Sequence, residues 1–127
     1  MKTLKSLVSW IEIPVENMER AKKFYEAIFE IQLQEMKFGD LTMAFFPVDQ
    51  TGIGGALCQQ KEHYKPSNNG IVIYLMADPG INLMLEKVIN ANGKIFQVKK
   101  QISENPEYGF MALIEDTEGN RIALYEK

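Results

Sequence analysis

The chain has 127 residues, a length typical of one compact domain and too short for two independent ones. Hydrophobic residues make up 46% of the sequence and charged residues 24%, close to the averages for soluble folded proteins, which argues against disorder. The formal net charge is −3 and no basic block occurs, so we expect neither nucleic acid nor a membrane among its partners.

Cysteine usage and the first residues indicate the compartment. Cys58 is the single cysteine, which excludes an intrachain disulfide, and residues 1–10 lack the apolar run of a secretory signal. No apolar stretch reaches the roughly 20 residues that cross a bilayer. We therefore expect a cytoplasmic protein.

Residues 10–29 predict a strand that turns directly into an amphipathic helix. Aliphatic residues alternate with Trp10, Glu12 and Pro14 over the strand, so one face is apolar and the other carries an indole and a carboxyl group. Asn17 can cap the helix through its side-chain oxygen. The apolar positions at helical spacing are Met18, Ala21, Phe24, Tyr25, Ile28 and Phe29.

Three strands are predicted after this helix, over residues 31–36, 41–48 and 55–59, before a polar linker over 62–70. The glycine-rich stretch 52–55 leads into a strand rather than a helix. Phosphate-binding loops lead into a helix N-terminus, so this stretch is not predicted to bind phosphate.

The second half repeats the same order of elements. A strand over 71–76 precedes a helix that should begin with Asp78 as cap and Pro79 at its first position, and Asn92 should end that helix. Three further strands follow, over 94–99, 110–115 and 121–126.

Local sequence also supports an internal duplication. Met43-Ala44 is echoed by Met111-Ala112, and Ala56-Leu57 is echoed by Ala123-Leu124 at nearly the same offset. We therefore predict an α+β fold in one domain, built from two βαβββ modules at about residues 6–60 and 70–127.

Two motifs resemble the vicinal oxygen chelate superfamily, also called the glyoxalase / bleomycin resistance protein / extradiol dioxygenase superfamily. Its first-module signature resembles residues 15–21, VENMERA, followed by Phe24-Tyr25, with Asn17 where the family usually has Asp. The turn before its last strand resembles residues 116–120, DTEGN. The resemblance implies a curved mixed-sheet half-barrel cup that holds a small molecule, often with a divalent metal.

The resemblance also places the metal ligands of the family, usually His and Glu, at four positions of this chain. None of the residues there can bind a metal, and the only histidine, His63, lies in the polar linker. We therefore expect no metal and no cofactor. The four positions hold Trp10, Ala56, Val72 and Ala123.

Strand alternation directs a mostly apolar and aromatic set of side chains into this cup. Such a lining is typical of a pocket for a small organic molecule, including a planar or aromatic one, although the side chains could also fill the cup themselves. The candidate ligand-binding residues are Trp10, Glu12, Cys58, Val72, Tyr74, Met76, Arg121 and Tyr125, with Phe45 and Met111 as weaker candidates.

Two of these residues have alternative interpretations. Glu12 could act as a general base and is the one catalytic candidate, or it could pair with Arg121 or lie at an interface. Cys58 could be a reactive thiol or a small buried hydrophobe.

The residues favour a metal-free binding module for a small organic molecule, similar to the drug-sequestering bleomycin resistance branch. The alternatives are a metal-dependent lyase or dioxygenase of the glyoxalase type, and a metal-free acid/base enzyme that uses Glu12. The sequence leaves open whether the protein is an enzyme. We expect a homodimer, because a second chain often completes the cup in this family and open half-barrels leave strand edges to protect.

Overall fold

The structure is a computed structural model that describes all 127 residues, Met1–Lys127, and its elements follow the predicted order. The first module consists of β1 (Ile11–Pro14), α1 (Met18–Phe29), β2 (Gln34–Phe38), β3 (Leu41–Phe45) and β4 (Gly55–Gln59). The second consists of β5 (Ile73–Met76), α2 (Ile81–Asn90), β6 (Lys94–Gln101), β7 (Phe110–Glu115) and β8 (Arg121–Glu126), with a 3-10 turn at Pro106–Tyr108 before β7.

Each module forms one four-stranded mixed sheet. The strand orders are β1-β4-β3-β2 and β5-β8-β7-β6, and in each sheet the first strand pairs in parallel with the last while the other pairs are antiparallel. The matching orders confirm the predicted α+β class and the two repeated modules. The strands remain in two separate sheets and no barrel closes.

The first helix forms as the sequence predicts. The side-chain oxygen of Asn17 accepts a hydrogen bond from the backbone N–H of Arg20 at 3.0 Å, which satisfies one of the free donors of the first turn. The predicted apolar positions are buried except Phe29, which is partly buried. The helix ends at Glu30, which adopts a left-handed conformation with φ of 57°.

The predicted start of the second helix is wrong. Asp78 makes no capping hydrogen bond, Gly80 takes the cap position and α2 begins at Ile81. The carboxylate of Glu126 on β8 accepts the backbone N–H of Ile81 at 2.8 Å, so a distant strand supplies the cap. At the other end Asn92 adopts the predicted left-handed conformation, with φ of 73°.

Several strand boundaries also differ from the prediction: β2 continues to Phe38, β5 begins at Ile73 and β6 continues to Gln101, where residues 36, 71 and 99 were expected. β2 begins at Gln34 rather than residue 31, because Leu33 still donates its backbone N–H to Glu26 of α1 at 2.8 Å. β3 ends at Phe45 rather than residue 48, and Pro47 beyond it has no amide hydrogen with which to continue the ladder.

A single hydrophobic core lies between the helices and one face of each sheet. It contains buried side chains from both modules, so the two modules fold as one unit. The largest fully buried members are Tyr25, Phe24, Ile28, Leu57, Ile81, Met84, Ile114 and Leu124. The opposite face of each sheet points away from the helices, and we call it the open face. Neither helix has the length and hydropathy of a membrane-spanning segment.

The turn between β7 and β8 joins the second module to the first. The carboxylate of Glu118 accepts the backbone N–H groups of Glu16 and Asn17, both at 2.9 Å, at the start of α1. Its other oxygen accepts a hydrogen bond from Arg20 Nε at 2.7 Å. A carboxylate at a helix N-terminus is favoured by the free amides and by the helix dipole.

Neighbouring residues of the same turn extend this contact. Asp116 accepts a hydrogen bond from the hydroxyl of Tyr25 at 2.6 Å, and Asn120 donates to the backbone oxygen of Pro14 at 2.8 Å. All three of Asp116, Glu118 and Asn120 are buried, so these bonds are shielded from water. The turn therefore fixes the position of β1 relative to β8.

The charge on Glu118 should make folding sensitive to acid. Burial alone would raise the pKa of Glu118, but hydrogen bonds from Arg20, Asn17, Thr117 and Glu16 outweigh it and hold the pKa below the ordinary 4.5. A carboxyl group with a depressed folded pKa stabilises the fold above its unfolded pKa. That contribution is lost as the pH falls through the folded pKa.

We predict that Glu118→Gln lowers the free energy of unfolding by about 1 to 3 kcal/mol at neutral pH, because a buried charged acceptor is lost. It should also flatten the decline in stability below pH 4.5. Urea unfolding of both proteins across the acid range measures these effects. Glu19→Gln is the matched control, since Glu19 is exposed and pairs only with Lys23. Equal stability of Glu118→Gln and the unchanged protein would contradict the prediction.

Candidate functional site

The open face of the first sheet carries a group of aromatic and polar side chains around one carboxylate. We call it the Glu12 cluster, and it consists of Trp10, Glu12, Phe45, Cys58 and Tyr64. Glu12 on β1 and Phe45 on β3 share Ala56 of β4 as their register partner, so they flank the same residue of the strand between them. Phe45 and Tyr64 pack against buried Met43, Ala56 and Cys58, a group separate from the main core.

Two neutral donors orient the carboxylate of Glu12. The indole N–H of Trp10 donates to Oε2 at 3.2 Å, and the hydroxyl of Tyr64 donates to Oε1 at 2.6 Å. No lysine, arginine or histidine nitrogen lies within 4.0 Å of this carboxylate. The carboxylate of Glu12 is therefore fixed in orientation by hydrogen bonds. Its negative charge is not neutralised by any basic side chain, and the residue is exposed.

Of the alternatives for Glu12, the ion pair with Arg121 does not form. Arg121 Nη2 donates instead to the backbone oxygen of Gly70 at 2.9 Å, and its Nε is buried without a partner.

The two titratable neighbours of Glu12 stay protonated at neutral pH. The hydrogen bond to Glu12, with some burial, raises the pKa of Tyr64 to about 12. Burial, followed by the charge of Glu12, raises the pKa of the Cys58 thiol to about 11. Because the thiolate is the nucleophilic form, the buried Cys58 is better interpreted as a small hydrophobe than as a reactive group.

Aromatic rings next to the carboxylate offer an open surface. The ring centroids of Trp10 and Phe45 are 6.0 Å apart, and those of Phe38 and Phe45 are 6.5 Å apart. Trp10 is 44% exposed and Phe38 is 49% exposed. A Cβ at Gly54 would stand 3.4 Å from Cζ3 of the indole, so the backbone supports one side of the ring. The exposed part of the ring remains available to a ligand.

The remaining candidate residues lie on the second sheet. Tyr74 is exposed, Tyr125 is partly buried, and Val72 directly precedes β5. No hydrogen bond, ion pair or aromatic contact joins any of these residues to the Glu12 cluster. Of the predicted set, the structure brings Trp10, Glu12 and Cys58 into one cluster.

Two cavities lie near the boundary between the sheets. One of about 220 Å³ is bordered by Glu12, Lys65 and Arg121 among others. The other, of about 370 Å³, is mainly apolar and lies between the end of α1, the β3–β4 loop and the end of β5. Its lining includes Phe29, Phe46, Val48, Ile53, Leu75 and Met76.

Tyr64 is the site residue that sequence reasoning missed. It lies in the polar linker after β4, where strand alternation does not apply, so the pattern that identified Glu12 could not place it. The available signal was weak, since Tyr64 is the one aromatic residue between 59 and 70.

The metal-ligand positions implied by the family resemblance do not fit a metal. Ala56 and Ala123 are fully buried methyl groups, Trp10 offers an indole N–H and Val72 has no donor atom. No group of three or more His, Cys, Asp or Glu side chains could hold a metal ion, and His63 is exposed in the linker.

A family model described as Glyoxalase/Bleomycin resistance protein/Dioxygenase superfamily matches residues 7–124. The match spans nearly the whole chain, so the protein belongs to this superfamily, and the resemblance deduced from the two motifs is confirmed. A comparison with curated proteins finds no match.

Several solved structures share the fold. Glyoxalase I from Zea mays is 17% identical with a TM-score of 0.70, and the alignment covers 94% of this chain but 44% of the maize chain. A glyoxalase/bleomycin resistance protein from Albidiferax ferrireducens is 16% identical with a TM-score of 0.66, covering 96% and 99% of the two chains. A hypothetical protein from S. aureus is 17% identical with a TM-score of 0.64, covering 99% and 96%. At these identities the likeness establishes the fold alone.

We predict that purified protein contains no stoichiometric Zn, Ni, Mn or Fe, because three or more converging ligands are needed and this chain does not supply them. Elemental analysis after dialysis measures the content. Adding each metal during a thermal melt provides the control, since a bound metal would raise the melting temperature. About one metal per chain that survives dialysis would contradict the prediction.

Proposed function

We propose that the protein is a metal-free binding module that captures a small, planar organic molecule on the open face of its first sheet. One observation carries the proposal: two neutral donors hold the carboxylate of Glu12 beside exposed aromatic rings. A few oriented polar groups among apolar and aromatic side chains are typical of sites for small organic ligands.

We favour binding over catalysis because the cluster contains neither an activated nucleophile with its base nor a metal site. Cys58 is buried with a raised pKa, and its thiol donates to the backbone oxygen of Ala56, so no histidine is paired with it as a base. Both oxygens of Glu12 already accept hydrogen bonds, which makes it a weaker candidate for removing a proton from a substrate. Binding of a small molecule requires only an oriented carboxylate and exposed aromatic rings, and the cluster has both.

Trp10 supplies the surface on which the ligand would lie. A planar ligand stacked on its indole would gain roughly 0.5 to 1.5 kcal/mol beyond the burial of apolar area. Trp10 is also the only tryptophan, so its fluorescence reports this site alone.

We predict that some planar aromatic compounds quench or shift the Trp10 emission in a saturable manner, and that Tyr64→Phe weakens their binding by about threefold to tenfold. That change removes one donor that orients Glu12 and keeps the ring. Tyr108→Phe is the matched control, because Tyr108 is exposed and lies beyond β6. Fluorescence titration measures the affinities.

The competing explanation is that Trp10 only stabilises the fold. In that case a broad panel of compounds leaves the emission unchanged, while Trp10→Ala lowers the free energy of unfolding by about 1 to 2 kcal/mol, as for a half-buried aromatic side chain. That pair of results would remove the main support for the proposed function.

We also propose that the protein is a homodimer. Large apolar side chains remain exposed on both sheets, and no backbone hydrogen bond joins the neighbouring edge strands β1 and β5. A second copy would cover this surface and protect the edges. The exposed side chains include Met36, Phe38, Tyr74, Met76, Phe96 and Val98.

Light scattering coupled to size-exclusion chromatography should give twice the mass of one 14.5 kDa chain at micromolar concentrations. Phe96→Ser should shift the equilibrium toward the monomer, since it removes an exposed ring on β6, away from the Glu12 cluster, from the proposed interface. A monomer mass at all concentrations would contradict the proposal.

A further inference from the structure

We propose that the ligand of the Glu12 cluster is an organic cation, a planar molecule whose amidinium or ammonium group binds Glu12 while its apolar part lies against Trp10. This inference rests on the proposed function and specifies the class of molecule that the site takes.

The first support is the unused capacity of the Glu12 carboxylate. Each oxygen has two acceptor sites, and the structure fills one on each oxygen, from Trp10 and from Tyr64. One acceptor site on each oxygen therefore remains free. An amidinium group presents two parallel N–H donors, the geometry that binds a carboxylate through both oxygens.

The second support is the charge balance of this face. The donors that hold Glu12 are both neutral, so its negative charge is oriented without being cancelled. The strand residues that alternate onto this face with Glu12 include no lysine or arginine. They are Gln34, Met36, Phe38, Leu41, Met43, Phe45, Ala56 and Cys58.

Two basic residues share a cavity with Glu12 near the boundary between the sheets. Lys65 and Arg121 border the small cavity that also touches Glu12, yet neither places a nitrogen within 4.0 Å of its carboxylate. Arg121 is engaged with the backbone oxygen of Gly70. The protein therefore provides no internal counter-ion, and a ligand can supply it.

The third support is the arrangement of the rings. The faces of aromatic side chains attract cations, and an indole attracts them best. Trp10 and Phe45 lie with their centroids 6.0 Å apart, and the indole N–H is bonded directly to the carboxylate that a cation would contact. Because the N–H lies in the plane of the ring, a cation at Glu12 would lie at the edge of the indole, and the remainder of the ligand could extend over the exposed rings. An anionic group placed directly at Glu12 would be repelled by its carboxylate.

Benzamidine and benzamide provide a matched pair of probes, since they have nearly the same shape and only benzamidine is charged at neutral pH. We predict that benzamidine binds the unchanged protein at least about tenfold more tightly than benzamide, measured by Trp10 fluorescence and calorimetry. Glu12→Gln should reduce this preference to within about threefold, because it removes the charge and keeps the size of the side chain.

Glu104→Gln is the control variant. Glu104 is exposed in the segment between β6 and β7, so this change alters net charge equally and should keep the preference for benzamidine. Raising the salt concentration should weaken the binding of benzamidine more than the binding of benzamide, and this test uses the unchanged protein. A salt-sensitive preference that is lost only in Glu12→Gln supports the inference.

Two outcomes would overturn it, and they differ in what they imply. If benzamide binds as tightly as benzamidine, the ligand is not selected for charge, and the proposed function stands without this inference. If neither probe binds, and the wider panel of planar compounds also leaves the fluorescence emission of Trp10 unchanged, the inference and the proposed function both fail.

Discussion

The contact between the carboxylate of Glu118 and the start of α1 is the interaction on which the arrangement of the two modules depends. It places a charge from the second module against two backbone amides and Arg20 of the first, and Asp116 adds a buried hydrogen bond from Tyr25. Hydrophobic packing alone is non-directional and would leave the relative orientation of two similar modules weakly specified. The polar turn between β7 and β8 specifies this orientation, because its buried side chains find their hydrogen-bond partners in only one arrangement of the modules.

This docking also explains why the site lies where it does. Asn120 binds the backbone oxygen of Pro14 at the end of β1, so the same turn that joins the modules fixes the strand that carries Glu12. The core takes the aliphatic face of β1, which includes Ile13, and leaves the polar face open. The rigid part of the fold thus supports an exposed carboxylate whose orientation is completed locally by Trp10 and Tyr64.

Periodicity predicted most of the fold but only part of the site. The cap at Asn17 and the buried stripe of α1 depend on neighbours in sequence, which is why they could be predicted. The cap of α2 comes from Glu126 and the second donor to Glu12 comes from Tyr64, and both contacts join residues far apart in the chain. Alternation correctly put Glu12 opposite the core, yet it gave no information about its partners. The pair with Arg121, one of the alternatives that the sequence left open, does not form, and Tyr64 takes part instead.

The central claim is that Trp10 and Glu12 form one ligand-binding surface. Two-dimensional 15N–1H NMR tests it directly, since the chain has one indole N–H and the structure bonds it to Glu12. Titration with a planar ligand should shift this indole resonance, together with the amides of β1 and the linker near Tyr64, while the amides of α2 stay unchanged. An indole resonance that remains fixed while other amides shift in a saturable manner would contradict the account, because the ligand would then bind elsewhere.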